Sequence, residues 1–230
     1  MQANEILTAL RAHADPKNVA GMARYGINST GTLGVPVPLI RALARQAGRN
    51  PSVADELWAS SVHEARILAT LLADPKQITR RQMTAWARDF DSWDVCDQAC
   101  LNLFRYTPFA WEMAEKWAGA SQEFVRRAAF ATMAGLAVKD KRATDAQFEA
   151  LLPLIREAST DERNMVKKAV NWALRSIGKR NEALRQAAMK EAERIHKIDS
   201  RAARWIASDA LRELRARQAG QAGLPAQRQS

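Results

Sequence analysis

The chain has 230 residues, of which 47% are hydrophobic and 26% charged, values that are ordinary for a soluble globular protein. No stretch approaches the roughly 18–20 uninterrupted apolar residues that span a bilayer, so we expect no transmembrane helix. The formal net charge of +10 favours a polyanionic partner such as nucleic acid, although solvated basic faces give other proteins a similar charge.

The N-terminus and the two cysteines predict a cytoplasmic protein. Residues 1–18 include Glu5 and have no apolar segment followed by a cleavage motif, so we expect no signal peptide. The C-x3-C spacing of Cys96 and Cys100 fits neither a secreted disulfide framework nor a zinc knuckle. We therefore expect two reduced, buried thiols and a location in the bacterial cytosol or nucleoid.

In chain order, almost every segment shows the apolar period of an amphipathic helix. Near the N-terminus Ile6, Leu7 and Leu10 follow this period, and no later run alternates like a β-strand. Helix-starting pairs recur along the chain at Asp15-Pro16, Asn50-Pro51 and Asp74-Pro75. The sequence predicts about a dozen helices in an all-α fold.

Three helices in the second half share a pattern in which basic residues precede small residues and then a bulky one. Aligned on Arg127, Lys168 and Arg201, the copies are 41 and 33 residues apart. These spacings suit helix-pair repeats of the HEAT or armadillo kind. We therefore expect a right-handed α-solenoid with a concave basic DNA-binding face, and generic Ala-rich helices are the alternative.

The C-terminal part differs from the rest in charge and composition. Between Asp161 and Arg217 the local net charge is +7, whereas residues 218–230 contain Gly, Pro, Gln and Ser without helical periodicity. We expect a single repeat domain over residues 1–217 and a disordered tail over 218–230.

Several enzyme motifs are missing from the sequence. His63-Glu64-Ala65-Arg66-Ile67 begins like the zincin motif H-E-x-x-H, but Ile67 replaces the second metal ligand. There is no G-x-G-x-x-G, no P-loop and no G-x-S-x-G elbow. We therefore expect neither a metal nor a cofactor, and the common hydrolases, kinases and dinucleotide enzymes are disfavoured.

The stretch from Ser92 to Asp97 is the most informative part of the chain. It is predicted to open a helix, on which Trp93 and Asp97 are i, i+4 neighbours on one face. Asp94 is explained by the first turn, with Asp91 or Ser92 as the cap, where negative charge is favoured. Asp97 lies a turn further in. A carboxylate beside an indole suits chemistry in which positive charge develops, and a structural ion pair with an Arg is the alternative.

Blocks over most of the chain resemble the AlkD family of DNA alkylation-repair glycosylases, HEAT-like all-α proteins that excise N3- and N7-alkylated purines. Trp93-Asp94-Val95-Cys96-Asp97 matches the family's W-D-x-x-D, and residues 168–175 are close to its K-A-x-x-W-x-L-R. The family pattern has Trp where this chain has Ser92 and Gly where it has Asn171, and both departures concern substrate range. The remaining blocks are Met22-Ala23-Arg24-Tyr25, Leu33-Gly34-Val35, the helix bearing Arg41 and Arg45, and Arg127-Ala128-Ala129.

The resemblance implies a role for each matching residue. Asp97 would be the catalytic carboxylate, with Trp93 and Trp172 as walls of the site. Tyr25 would lie beside them unless it is a core phenol, and Arg127 would hold the phosphate next to the lesion unless it forms a salt bridge within the repeats. The further DNA contacts that we expect are Arg41, Arg45, Lys168 and Arg175, and the tryptophans expected to pack between helices are Trp58, Trp86, Trp111, Trp117 and Trp205.

One carboxylate would be enough for the reaction that the resemblance implies. An N3- or N7-alkylated purine is already cationic and leaves readily, so the carboxylate needs only to stabilise an oxocarbenium-like sugar and to position water. The partner would be double-stranded DNA containing alkylated bases, bound by a monomer. Two alternatives stay open: a non-catalytic protein of this fold that recognises branched or damaged DNA, and a protein-interaction scaffold with a basic face.

Overall fold

A computed structural model describes residues 1–222 of the chain. Within these residues there are fourteen α-helices, one 3-10 turn and no β-strand, so the all-α prediction is confirmed. The chain divides into two compact units, Met1–Thr132 and the residues from Met133 onwards. The single domain predicted over residues 1–217 stays a prediction.

The first unit is built of helices that begin at prolines and polar caps, as predicted at Asp15-Pro16 and Asn50-Pro51. The prediction at Asp74-Pro75 is wrong, because Asp74 accepts from the Lys76 N–H in a turn and the next helix begins at Arg80. Pro16 and Pro51 are first helical residues, and the side chains of Asp15, Asn50 and Thr79 accept hydrogen bonds from backbone N–H groups of the turn that follows each. The helices are α1 (Ala3–Ala12), α2 (Pro16–Ala23), α3 (Val37–Ala47), α4 (Pro51–Ala59), α5 (His63–Leu72), α6 (Arg80–Arg88), α7 (Trp93–Asn102), α8 (Ala110–Ala118) and the part of α9 (Glu123–Lys139) up to Thr132.

The second unit continues with five helices, of which the last three pack against one another. The last helix runs to Ala222, so the residues 218–222 that were predicted to belong to a tail are helical, since nothing from Gln218 to Ala222 is a proline. Residues 223–230 lie outside the described residues. The helices are α10 (Asp145–Glu149), α11 (Leu152–Ala158), α12 (Asn164–Gly178), α13 (Glu182–His196) and α14 (Arg201–Ala222).

Polar contacts join residues that lie about one repeat apart in the chain. In the first unit the Trp58 indole donates to Asp89, 31 residues on. In the second unit the Asn171 amide donates to Asp209, 38 residues on. The repeat interpretation is therefore supported, but Lys168 and Arg201 do not occupy equivalent positions in their helices, as the alignment had assumed. Lys168 lies inside α12, whereas Arg201 is the first residue of α14.

The buried core contains most of the tryptophans that were predicted to pack between helices. Trp58 and Trp86 stack with ring centroids 4.1 Å apart, and Trp117 is buried near Phe104. Trp205 is an exception, because 42% of its surface is exposed on α14.

The two cysteines of α7 are buried and free, as predicted. Their thiols point to backbone carbonyls of α9, those of Phe124 and Ala128. No helix of the described residues is both long and apolar enough to cross a membrane.

Candidate active site

An apolar cleft of about 730 Å³ opens in the first unit. Its walls come from α2, from the connection between α2 and α3, and from the first turns of α7. Met22, Ile27 and Val35 supply apolar surface, while Asp97 and Gln98 supply polar groups. The cleft therefore combines a hydrophobic wall with a carboxylate, which is the general character of a ligand site.

One wall of the cleft is held by Glu64, which is 1% exposed. Its carboxylate accepts backbone hydrogen bonds from Leu33 at 2.9 Å, from Gly34 at 2.6 Å and from Val35 at 3.2 Å. Three donors compensate the burial of this charge and fix the path of the chain. Glu64, the acid of the incomplete zincin motif, thus shapes the cleft.

The N-terminus of α7 is tied to the opposite side of the same connection. Ser92 is the N-cap residue but makes no capping bond, and its hydroxyl instead accepts from the Asn28 N–H at 2.8 Å. Ser92 therefore occupies the N-cap position that was expected of Asp91 or Ser92, but its side chain makes no capping bond because it is taken by a tertiary contact. The Trp93 indole N–H donates to the Tyr25 carbonyl oxygen at 3.0 Å, which positions the ring at the edge of the cleft.

Tyr25 itself is 74% exposed and lines the cleft with its neighbours. The alternative of a core phenol is therefore wrong. The Tyr25 side chain is presented to solvent at the cleft that Trp93 also lines, where a bound molecule could contact it.

Asp97 and Arg127 form a bidentate ion pair next to Trp93. Arg127 on α9 donates from Nε and Nη2 to the two carboxylate oxygens of Asp97, at 2.9 and 2.8 Å. The Asp97 side chain is 15% exposed and the Arg127 side chain 7%. The guanidinium carbon also lies 5.9 Å from the centroid of the Trp93 ring. The carboxylate is thus held in one orientation beside the indole.

Burial and the ion pair act on the pKa of Asp97 in opposite directions. Burial raises the pKa of this carboxyl above its ordinary 3.8, while the Arg127 charge and hydrogen bonds oppose the rise. For Arg127, the ion pair is what the geometry shows, and the predicted phosphate contact stays a prediction.

A second buried ion pair lies one turn before Asp97. His63 on α5 places Nε2 2.8 Å from Oδ2 of Asp94 and is 4% exposed. Burial disfavours the charged imidazole, but the hydrogen bond and charge of Asp94, with the charges of Glu64 and Asp91, prevail and raise the pKa of His63 above 6.5. Asp94 is therefore more than a first-turn acid. Sequence reasoning missed His63, whose only signal was its distance of 31 residues from Asp94, about one repeat.

The other predicted residues divide between the two units. Arg41 and Arg45 are exposed on α3 of the first unit and line a smaller pocket of about 280 Å³. In the second unit, α12 carries an exposed Lys168 and a partly buried Trp172. Arg175 on the same helix forms ion pairs with Glu213 and with Asp209 of α14. Their roles as DNA contacts or as a site wall stay predictions, and so does the concave basic face.

The chain is similar to one known protein family and to several solved structures. The model of a family described as DNA alkylation repair enzyme matches residues 6–214. No curated protein matches the chain significantly. One similar structure comes from "a new family of proteins related to the HEAT-like repeat DNA glycosylases with affinity for branched DNA structures". It is 18% identical, with a TM-score of 0.76, over 93% of this chain and 95% of that one. The similarity shows the HEAT-like repeat fold. A designed armadillo repeat protein in complex with a (KR)4 peptide is 16% identical over 92% of this chain and 93% of that one, with a TM-score of 0.46.

Proposed function

Since the chain belongs to the family of DNA alkylation repair enzymes, we propose that it is a DNA glycosylase for cationic N3- and N7-alkylated purines. The substrates are 3-methyladenine and 7-methylguanine in duplex DNA, and the reaction is hydrolysis of the N-glycosidic bond in base-excision repair. The observation that carries the proposal is the Asp97 carboxylate, held beside Trp93 at the edge of an apolar cleft.

The chemistry needs a negative charge near the sugar and a water molecule. As the bond from C1′ to the purine nitrogen breaks, its electron pair goes to the cationic base, which leaves neutral. Positive charge then develops on the sugar, where the Asp97 carboxylate stabilises it. Water adds its oxygen to C1′, and Asp97 accepts the proton that the water loses. No acid is needed to protonate the leaving base, because alkylation has already made it cationic.

Trp93 contributes to the same step from the side. Its indole N–H is engaged with the Tyr25 carbonyl, so the ring is fixed and its face can attract a cationic base or sugar by about 0.5–2 kcal/mol. The role of Trp172, which was expected from the K-A-x-x-W-x-L-R block, stays a prediction.

Arg127 is proposed to act in two ways. In the free protein it orients Asp97 with both of its forked donors. When DNA binds, a phosphate beside the lesion competes with Asp97 for the guanidinium. A shift of Arg127 toward that phosphate leaves the carboxylate with more of its negative charge directed at the sugar.

The first prediction tests the proposed catalytic role of Asp97. Asp97→Asn keeps the shape and removes the charge, so single-turnover release of 7-methylguanine should fall about 10²- to 10³-fold. Asp55→Asn is the matched control, because Asp55 is exposed on α4 and the change in net charge is the same. Asp94→Asn is unsuitable as a control because Asp94 is paired with buried His63.

The outcome also distinguishes the second candidate function, non-catalytic recognition of branched or damaged DNA. The relationship to a structure whose family has affinity for branched DNA favours this candidate. Equal release by the wild type and a well-folded Asp97→Asn variant, or no release by either, together with tight binding of a four-way junction, would replace the glycosylase proposal by this one.

A further inference from the structure

Trp205 is an exposed tryptophan on a helix whose other face is fully packed. On α14 the side chains of Ala202, Ala203 and Ile206 are buried, whereas Trp205 is 42% exposed. An indole is large and mostly apolar, so leaving this much of it in water forgoes the stabilisation that Trp58 and Trp86 gain by burial. Such an exposed ring needs an explanation outside the core.

One basic side chain lies over the ring, and further basic residues are close to it in sequence on α12 and α14. The Lys167 ammonium lies over the indole, 5.2 Å from its centroid. Lys168 follows on α12, and Arg201 and Arg204 are exposed on α14. We call these four side chains together with Trp205 the Trp205 patch.

Three acids lie next to the patch, and all have local roles. Glu162 accepts hydrogen bonds from the Ser200 hydroxyl at 3.2 Å and from the Ala202 N–H at 3.0 Å, at the start of α14. Asp199 pairs with Arg204 at 2.9 Å. Asp209, one turn beyond Trp205, is paired with Arg175 and Arg212 from outside the patch. The four bases of the patch therefore outnumber the acids beside it, and the patch is positive.

The position of the ring is set by contacts further along the same two helices. Asn171 of α12 donates to Asp209 at 3.1 Å, and Arg175 pairs with Glu213. Asp209 is one helical turn beyond Trp205. These contacts hold α12 against α14, so that Lys167 and Trp205 stay side by side.

We propose that the Trp205 patch binds DNA at an unpaired base, which stacks on the indole while neighbouring phosphates contact the Lys and Arg side chains. The positive charge selects a polyanion, and the aromatic face selects a flat partner. In an intact duplex both faces of each base are covered by its neighbours, so the ring is matched to a base that has lost its stacking partner. This binding goes beyond the proposed hydrolysis and requires no step of it.

The experiment compares two DNAs by fluorescence anisotropy at one salt concentration. One is an intact duplex, and the other is the same duplex with three nucleotides missing from one strand, so that the three opposite bases are unpaired. Trp205→Ala should weaken binding to the gapped duplex by about 5- to 150-fold, as expected for the loss of one stacked base. Binding to the intact duplex should change less than about twofold. Trp205→Phe should restore most of the affinity for the gapped duplex, because Phe keeps an aromatic face.

A matched control comes from another exposed aromatic residue. Tyr106 is 50% exposed, and Arg105 lies over its ring at 4.8 Å, so Tyr106→Ala removes a similar cation–aromatic pair outside the patch and should leave both affinities unchanged. When 2-aminopurine replaces one of the unpaired bases, its fluorescence should be quenched by the wild type and not by Trp205→Ala.

Equal losses on intact and gapped DNA, no quenching by the wild type, or an equal loss in Tyr106→Ala would each overturn the proposal. None of these measurements involves base release, so they give the same result whether or not the protein excises alkylpurines.

Discussion

Two ion pairs between neighbouring repeats, His63–Asp94 and Arg127–Asp97, determine how α7 presents its acidic residues. Each carboxylate is paired with a basic side chain from another helix, His63 of α5 for Asp94 and Arg127 of α9 for Asp97. Removing one partner of such a buried pair leaves an uncompensated charge, which is more costly than the pair itself is stabilising. The acids of W-D-x-x-D are therefore matched with bases that lie about one repeat away.

The His63–Asp94 pair predicts a pH dependence of stability. The pKa of His63 is raised above 6.5 in the folded protein. The stabilisation that the protonated His63 gives to the folded state is therefore fully present below pH 6.5 and is lost as the pH rises through the folded pKa. We expect the free energy of unfolding, measured in urea, to decrease over this range. His63→Gln should lack this part of the decrease. The same decrease in both proteins would show that His63 is not the responsible group.

At the scale of elements, the connection between α2 and α3 is a structural part of the cleft. Glu64 binds three consecutive N–H groups of it, and Gly34 has a φ of +81° with its backbone against that of Asp15. A side chain at position 34 would have its Cβ 2.3 Å from the Asp15 carbonyl oxygen. The backbone path that this connection has to follow therefore explains the Leu33-Gly34-Val35 block of the sequence.

Gly34→Ala is expected to be strongly destabilising. The positive φ costs about 1–3 kcal/mol in a residue with a Cβ, and the clash with the Asp15 backbone adds to it. Gly48→Ala is the matched control, since Gly48 has a φ of +71° but a Cβ at this position would have no atom within 4 Å. Chemical denaturation should show a larger loss of unfolding free energy for Gly34→Ala. Equal losses would mean that the connection moves freely enough to relieve the clash.

At the scale of the whole molecule, the net charge of +10 acts through those cations that acids do not neutralise. Arg41 and Arg45 are exposed and have no ion-pair partner among the described residues. Arg175, in contrast, is matched by Glu213 and Asp209. A cation without an acidic partner can bind a DNA phosphate and release a counterion directly, whereas a paired cation must first break its ion pair.

The salt dependence of DNA affinity measures this difference. Arg41→Ala and Arg45→Ala should each flatten the slope of log K against log salt by about 0.9 for duplex DNA. Arg175→Ala should leave the slope nearly unchanged. If Arg175→Ala flattens the slope as much as Arg41→Ala, its ion pairs open on DNA and the contact first predicted for Arg175 is real.

The sequence by itself determined those features that depend on local spacing. The period of apolar residues predicted the all-α fold, since side chains three and four positions apart share a helix face. The same spacing placed Trp93 beside Asp97, and both line the cleft. The resemblance predicted the family correctly, because its motifs are short blocks in a particular order.

Only the tertiary structure decided which residues meet across repeats. Which cation pairs with Asp97 or Asp94 depends on how far one helix is shifted along the next, and that shift follows from packing of whole faces. The same dependence makes Ser92 bind Asn28 instead of capping α7. It also leaves Trp205 exposed while Trp58 and Trp86 are buried. The sequence alone does not distinguish a buried tryptophan from an exposed one, because the neighbouring helix determines whether the ring is covered.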